Sequence, residues 1–93
     1  MNAYLARIEI HQGSESDYTA LHKELETKAF ERTIESDGKV YDLPSGTYRR
    51  ESWLSAAQIR DSAKDAVSKI GKKGGIIVVT YSDGALDGLN LHK

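Results

Sequence analysis

The chain has 93 residues, of which 39% are hydrophobic and 29% are charged, as expected for one globular domain rather than for a disordered chain. It contains no cysteine, which excludes disulfides, thiolate metal sites and a cysteine nucleophile. The formal net charge of −1 gives no long-range attraction to nucleic acid or to an anionic membrane, and no apolar run reaches the roughly 18 residues of a membrane span.

The first predicted element is a strand over residues 3–10. Apolar residues alternate with mixed ones along it, a pattern typical of an antiparallel sheet with one face towards water. The first residues lack the features of a secretory signal, so we expect a cytoplasmic protein. After a polar loop, Ser14 and Asp17 form an S-x-x-D capping signal, which predicts a first helix that runs to about Ala29.

A second strand is predicted over residues 30–36, and two positions compete for the turn that follows it. Asp37-Gly38 is a strong short-range hairpin signal, and Pro44-Ser45-Gly46 is an equally good turn further along the chain. We favour a long second strand with a bulge at Asp37-Gly38 and the hairpin at residues 44–46, because this leaves Val40, Tyr41 and Leu43 paired. A tight hairpin at Asp37-Gly38 is the alternative.

Residues 47–53 are predicted to be the third strand, and they run directly into a second helix. Ser55 and Gln58 form a capping box at its start, and Gly71 is suited to end it. Its predicted buried stripe consists of apolar residues at helical spacing, Ile59, Ala63, Ala66, Val67 and Ile70. The continuous apolar run IIVVTY then predicts a strand over residues 76–81 that is covered on both faces, either by the C-terminal tail or by a second copy of the chain.

The predicted order is β-α-β-β-α-β in a single domain over residues 1–93, with a short tail from about residue 83. Two such halves joined by a hairpin are typical of the α+β ferredoxin-like split βαβ fold, in which an antiparallel sheet carries two helices on one face. This fold supports many functions and does not determine one.

Basic residues are concentrated in the second half of the chain. Between residues 46 and 73 there are seven of them, Arg49, Arg50, Arg60, Lys64, Lys69, Lys72 and Lys73. They could form a basic face, or they could be ordinary solvated helix surface supported by pairs such as Asp61–Lys64.

A family resemblance rests on residues 43–59, LPSGTYRRESWLSAAQI. A turn, an aromatic-bearing strand and the helix opening Leu54-Ser55-Ala56-Ala57 resemble the corresponding stretch of the GhoS family, the endoribonuclease antitoxins of type V toxin–antitoxin systems. The resemblance also takes in Phe30, the Leu21-His22 pair and Arg32-Thr33-Ile34, and extends by order and spacing over most of residues 4–81. It implies a ferredoxin-like fold, similar to that of the small CRISPR-associated spacer-acquisition nucleases, and cleavage of a toxin's messenger RNA.

Histidines are the candidate catalytic residues for such a reaction. RNA cleavage without a metal needs a base for the 2′-hydroxyl, an acid for the leaving oxygen and a cation for the phosphorane charge, and histidine suits acid–base work near neutrality. His22 on the first helix is the first candidate, and a boundary histidine packed on the sheet is the alternative. His11 at the end of the first strand is the second candidate, and it could instead be an exposed loop residue. We expect no role for His92.

Four residues are predicted to hold single-stranded RNA, Arg7, Tyr48, Arg49 and Arg50. Arginine and aromatic side chains on strands commonly do so through charge and stacking. Arg7 and Arg49 could share the open face of the sheet, and Tyr48 and Trp53 bracket the arginines of the third strand. The alternative is that both aromatic side chains belong to the core, while the arginines pair with Glu9 and Glu51.

No metal site and no cofactor are predicted. The acidic and histidine residues of the first loop match no ligand template, and Lys72-Lys73-Gly74-Gly75 lacks the spacing of a phosphate-binding loop. Three functional hypotheses therefore remain: a metal-independent endoribonuclease or other RNA-directed protein, a non-catalytic module that binds RNA or a protein, and a homodimeric accessory protein that pairs through residues 76–81.

Overall fold

The computed structural model describes all residues, 1–93, as two helices and two antiparallel sheets. The elements follow in the order β1 (Asn2–Ile10), α1 (Glu15–Glu26), β2 (Thr33–Ser36), β3 (Lys39–Asp42), β4 (Thr47–Ser52), α2 (Ala56–Lys69) and β5 (Gly74–Thr80). Three strands form one sheet in the order β4-β1-β5, and β2 pairs with β3 in the other. The predicted α+β class is confirmed, but the predicted single antiparallel sheet is divided into two.

The hydrophobic core lies between the three-stranded sheet and both helices. Every second residue of β1, from Tyr4 to Ile10, is buried, and the residues between them are not. Leu21 and Leu25 of α1 join them, as does the predicted stripe of α2 up to Val67. Because these side chains form one cluster, both helices pack on the same face of the sheet, and the opposite face is left without a helix.

Both helices begin at their predicted caps. Ser14 and Asp17 exchange side-chain and backbone hydrogen bonds at the start of α1, and Ser55 and Gln58 do the same for α2. Such caps satisfy amide groups that the helix leaves unpaired, and each typically stabilises a protein by about 1 kcal/mol. Local sequence was sufficient to predict both starts.

The helix ends follow a common geometry with different residues. Gly71 has a φ of 75° after α2, as predicted, and Ala29 has a φ of 64° after α1. After each helix an amide reaches back to a carbonyl five residues earlier, from Phe30 to Leu25 and from Lys72 to Val67, which is the pattern of the Schellman motif. The left-handed residue at Ala29 ends the helical hydrogen bonding, so α1 stops at Glu26, before the predicted end.

The favoured position of the hairpin turn was wrong. Ser36 pairs with Lys39, and Asp37 and Gly38 have φ angles of 52° and 76°, which is the tight two-residue hairpin given as the alternative. The turn before β4 also forms, with Thr47 N donating to Pro44 O at 2.9 Å, but it connects strands that do not pair with each other. The β2–β3 hairpin therefore forms a sheet of its own, separate from the main sheet.

One residue links the segment before the hairpin to the main sheet. Glu31 and Arg49 exchange both backbone hydrogen bonds, at 2.7 and 2.8 Å, in an isolated antiparallel bridge. After Glu31 the chain no longer pairs with β4, so the main sheet has no fourth strand.

β5 is an edge strand with one uncovered face. Ile76 and Val78 pack against the core, whereas Ile77 and Val79 are exposed. The tail does not cover them. It instead reaches β3, where Leu91 forms a single bridge with Tyr41.

Neither helix has the combination of length and apolar composition that crossing a membrane requires.

Candidate functional site

The four residues predicted to bind RNA are divided between the two faces of the main sheet. Tyr48 is 1% exposed and belongs to the core cluster, so its ring is not available to stack on a base. Arg50 lies on the same face, with its guanidinium 5.3 Å from the centre of the Phe30 ring. Arg7 and Arg49 lie on the opposite, open face, as the register predicts. The four side chains therefore do not form one surface. Of the two aromatic residues that the alternative prediction placed in the core, Tyr48 lies there, whereas Trp53 is 83% exposed and does not.

Arg49 is surrounded by groups that neutralise its charge. Its Nε donates to Tyr81 Oη at 2.8 Å, and its guanidinium forms ion pairs with Glu31 and Glu51. Of the alternative prediction, the pairing of Arg49 with Glu51 is confirmed, whereas Glu9 forms no ion pair and the pairing with Glu31 was not predicted. A guanidinium held by two carboxylates has little charge left to offer a phosphate.

Arg7 lies at the turn before β4. Its Nη1 donates to Ser45 O at 2.7 Å, and its guanidinium packs so closely on Gly46 that a Cβ there would overlap it. Arg7 forms no ion pair with a carboxylate. The side chain thus supports the turn and keeps an uncompensated charge.

A cleft of about 1550 Å³ lies between α1, the start of β2, the turn before β4 and the C-terminal residues. His22 lines it from α1, and the buried ring of Tyr48 lies beneath. Tyr48 Oη and His22 Nδ1 are 2.6 Å apart. Tyr48 of β4 thus contacts His22 of α1 and fixes the orientation of its imidazole on the cleft wall.

Partial burial sets the protonation of this pair. Desolvation, with a contribution from the charge of Arg32, lowers the pKa of His22 below its ordinary value of 6.5, and burial raises the pKa of Tyr48 to about 12. At neutral pH the imidazole is therefore neutral and the phenol keeps its proton. When the imidazole proton resides on Nδ1 and is donated to Tyr48 Oη, the second ring nitrogen, Nε2, has a free lone pair and can act as a base.

Arg32 is a cation of this cleft that sequence reasoning did not select. It is exposed and lines the cleft, its charge acts on both His22 and Tyr48, and it forms no ion pair with a carboxylate. The sequence offered only a lone arginine after a helix. Arg32 lies near His22 because the segment after α1 pairs with β4 only at Glu31, the residue directly before Arg32.

His92, for which we expected no role, lines the same cleft as His22. Its Nδ1 lies 2.7 Å from Asp42 Oδ1. No sequence signal could have revealed this, because the pairing joins the tail to β3 across 50 residues.

His11 lies outside the cleft. Its backbone N donates to Lys73 O at 2.8 Å, and its side chain is exposed, as the alternative prediction stated. The neighbouring Asp17 is engaged with the Ser14 cap and with Lys72 at 3.3 Å. No group of three or more His, Asp or Glu side chains has an arrangement that could hold a metal ion.

Comparison with known proteins finds no family model that matches the chain and no curated protein that matches it.

Proposed function

We propose that the protein acts on single-stranded RNA and cleaves it in this cleft without a metal ion, the activity that the resemblance to the endoribonuclease antitoxins implies. The observation that carries the proposal is the His22–Tyr48 pair, a neutral imidazole held at 2.6 Å by a core hydroxyl on the wall of an open cleft. A neutral imidazole near physiological pH is well suited to accept a proton from a sugar hydroxyl.

The proposed reaction uses only the RNA and the side chains of the cleft. The 2′-oxygen attacks the adjacent phosphorus while His22 Nε2 accepts its proton. The bond between phosphorus and the 5′-oxygen then breaks as that oxygen takes up a proton from a second group in the cleft, which gives a 2′,3′-cyclic phosphate and a strand with a 5′-hydroxyl. Negative charge increases on the non-bridging oxygens, where the Arg32 guanidinium can form charge-assisted hydrogen bonds.

We infer that the fold is a reduced ferredoxin-like split βαβ. The support comes from Glu31, which pairs with β4 at the place where a split βαβ fold has its fourth strand. The segment after α1 and the strand before α2 are then antiparallel neighbours, as the two halves of a split βαβ require.

The experiment is incubation of the purified protein with end-labelled single-stranded RNA in EDTA. We expect cleavage by the wild type, and a loss of about 100-fold or more in His22→Gln, because a positioned general base typically contributes about 10²–10⁴-fold. Arg32→Gln should also lose activity, and Arg60→Gln on the exposed side of α2 is its matched control. RNA binding without cleavage at any pH would replace this proposal with the non-catalytic module.

A second candidate function, self-association through β5, is favoured by a different observation. This edge strand carries no charged residue over Gly74–Thr80, and Ile77 and Val79 are 61% and 47% exposed on one face. Natural edge strands usually carry charge or proline that prevents pairing with another chain. We therefore propose a second copy of the chain, paired antiparallel along β5, as the occupant of this edge.

Light scattering tests the dimer directly. The wild type should show twice the monomer mass of 10.3 kDa, and Ile77→Lys should return it to that mass. A monomer mass for the wild type at high concentration would refute the second candidate and leave the first unaffected.

A further inference from the structure

The part of the cleft formed by the tail carries a second imidazole, paired with a carboxylate. His92 Nδ1 and Asp42 Oδ1 are 2.7 Å apart, and the two side chains are 54% and 49% exposed. A carboxylate that accepts a hydrogen bond from Nδ1 fixes the tautomer and the orientation of the ring. Nε2 is then the ring nitrogen that remains for a ligand in the cleft.

Backbone hydrogen bonds on both sides of the pair hold it in position. His92 N donates to Val40 O, and Asp42 N donates to Asn90 O, each at 2.9 Å. These bonds flank the bridge between Tyr41 and Leu91. The histidine is thus attached to β3 by strand pairing, and the contact with Asp42 does not depend on a free chain end meeting the surface.

The cleft thus contains two imidazoles whose Nδ1 atoms have different partners. His22 Nδ1 is bound to a neutral phenol in the core, whereas His92 Nδ1 is bound to a carboxylate at the surface. Cleavage of a phosphodiester by its own 2′-hydroxyl requires one group that accepts a proton and another that donates one. A positive imidazolium is better tolerated beside a carboxylate than beside a buried phenol.

We propose that His92, oriented by Asp42, is the general acid of the cleft and donates its Nε2 proton to the 5′-oxygen as the bond from that oxygen to phosphorus breaks. This inference rests on the proposed function. The 5′-oxygen leaves as a hydroxyl, His92 is left neutral, and the proton from the 2′-hydroxyl is left on His22. Catalysis is then shared between α1 and the tail.

The test compares two substrates that differ only in the leaving atom. One is an ordinary single-stranded RNA, and the other carries a bridging sulfur in place of the 5′-oxygen at one linkage. A thiolate leaves without being protonated, so its departure needs no general acid. Rates are measured in EDTA for the wild type, His92→Ala, Asp42→Asn and His22→Gln.

We expect His92→Ala to lower cleavage of ordinary RNA by about 100-fold, within the range of general acid catalysis, and to leave cleavage at the sulfur linkage within about threefold of the wild type. Asp42→Asn should give the same pattern with a smaller loss of about tenfold, because it removes the charge that orients the ring. His22→Gln should lose activity on both substrates.

The remaining outcomes contradict the inference in distinguishable ways. Equal losses on both substrates in His92→Ala would mean that the tail only supports the structure of the cleft. Unchanged rates on both would mean that His92 has no part in a reaction that nevertheless occurs, so the proposed function would stand and this inference would fail. A wild type that cleaves neither substrate would refute the proposed function and the inference together.

Discussion

Tyr48 connects the core of the protein to its cleft. Its ring packs edge-on against Phe30, with centroids 6.5 Å apart, and its hydroxyl reaches His22. The contributions of the ring and of the hydroxyl to stability can be measured separately, because a Tyr48→Phe substitution keeps the ring and removes only the hydroxyl.

We predict that Tyr48→Phe lowers the free energy of unfolding by about 1 kcal/mol, since it leaves a partly buried imidazole nitrogen without its partner. Urea denaturation measures this change. Tyr41→Phe is the matched control, because the Tyr41 side chain is half-buried and its hydroxyl forms none of the side-chain hydrogen bonds of the structure. Equal effects of the two substitutions would argue against a contribution of the bond to His22.

The lowered pKa of His22 predicts a pH dependence of stability. Because the folded protein binds this proton less readily than the unfolded chain does, the free energy of unfolding should fall as the pH is lowered through the ordinary value of 6.5, and stop falling below the folded-state pKa. Denaturation curves of the wild type and His22→Gln at several pH values measure the difference. A wild type that loses no more stability than the variant over this range would contradict the prediction.

The two helices end with the same backbone geometry, although the residues that adopt it differ in how much steric strain it causes them. The two helices end in the same left-handed conformation, at Ala29 after α1 and at Gly71 after α2. Only glycine adopts this conformation without steric strain.

We therefore expect Ala29→Gly to raise the free energy of unfolding, and Gly71→Ala to lower it, each by about 1 kcal/mol. The two sites are exposed, and no neighbouring atom would meet a Cβ added at Gly71, so packing should contribute little. Chemical denaturation of both variants gives the two values. A loss of stability in Ala29→Gly would show that the flexibility of glycine in the unfolded chain outweighs the relief of strain.

Structural elements that depend on residues close together in the sequence could be predicted from it, whereas contacts between residues far apart in the sequence could not. The caps at Ser14 and Ser55 are complete within four residues, so the sequence was enough. The hairpin was misplaced because two good turn signals compete, and only the bridge between Glu31 and Arg49 fixes which segment meets β4. The candidate site depends on contacts across 26 and 50 residues, for which periodicity and local motifs carry no information.

The charge of the protein limits the affinity for RNA that the proposed function can have. The net charge is −1. Glu15, Glu26, Glu31 and Asp42 line the cleft together with three cations, Lys23, Arg32 and Lys93. Affinity for a polyanion should therefore be modest and selective rather than general.

We predict a shallow salt dependence of RNA binding. Each cation that meets a phosphate of a single strand contributes about −0.7 to the slope of log K against log salt concentration, so three cations give at most about −2. Fluorescence anisotropy over a series of KCl concentrations measures this slope. Arg32→Gln should reduce its magnitude by about 0.7, while Arg60→Gln leaves it unchanged. A slope steeper than about −4 would mean that RNA binds along a wider basic surface than this cleft.

The attachment of the tail to β3 implies that different parts of the folded protein open at different rates. The amides of Asp42 and His92 are held by pairing between the tail and the small sheet, away from the core, so they should exchange with deuterium through local openings. The amides of β1, bonded on both sides within the main sheet, should exchange only when the whole domain unfolds. The wall of the cleft that the tail forms would then open and close many times within the lifetime of the folded sheet.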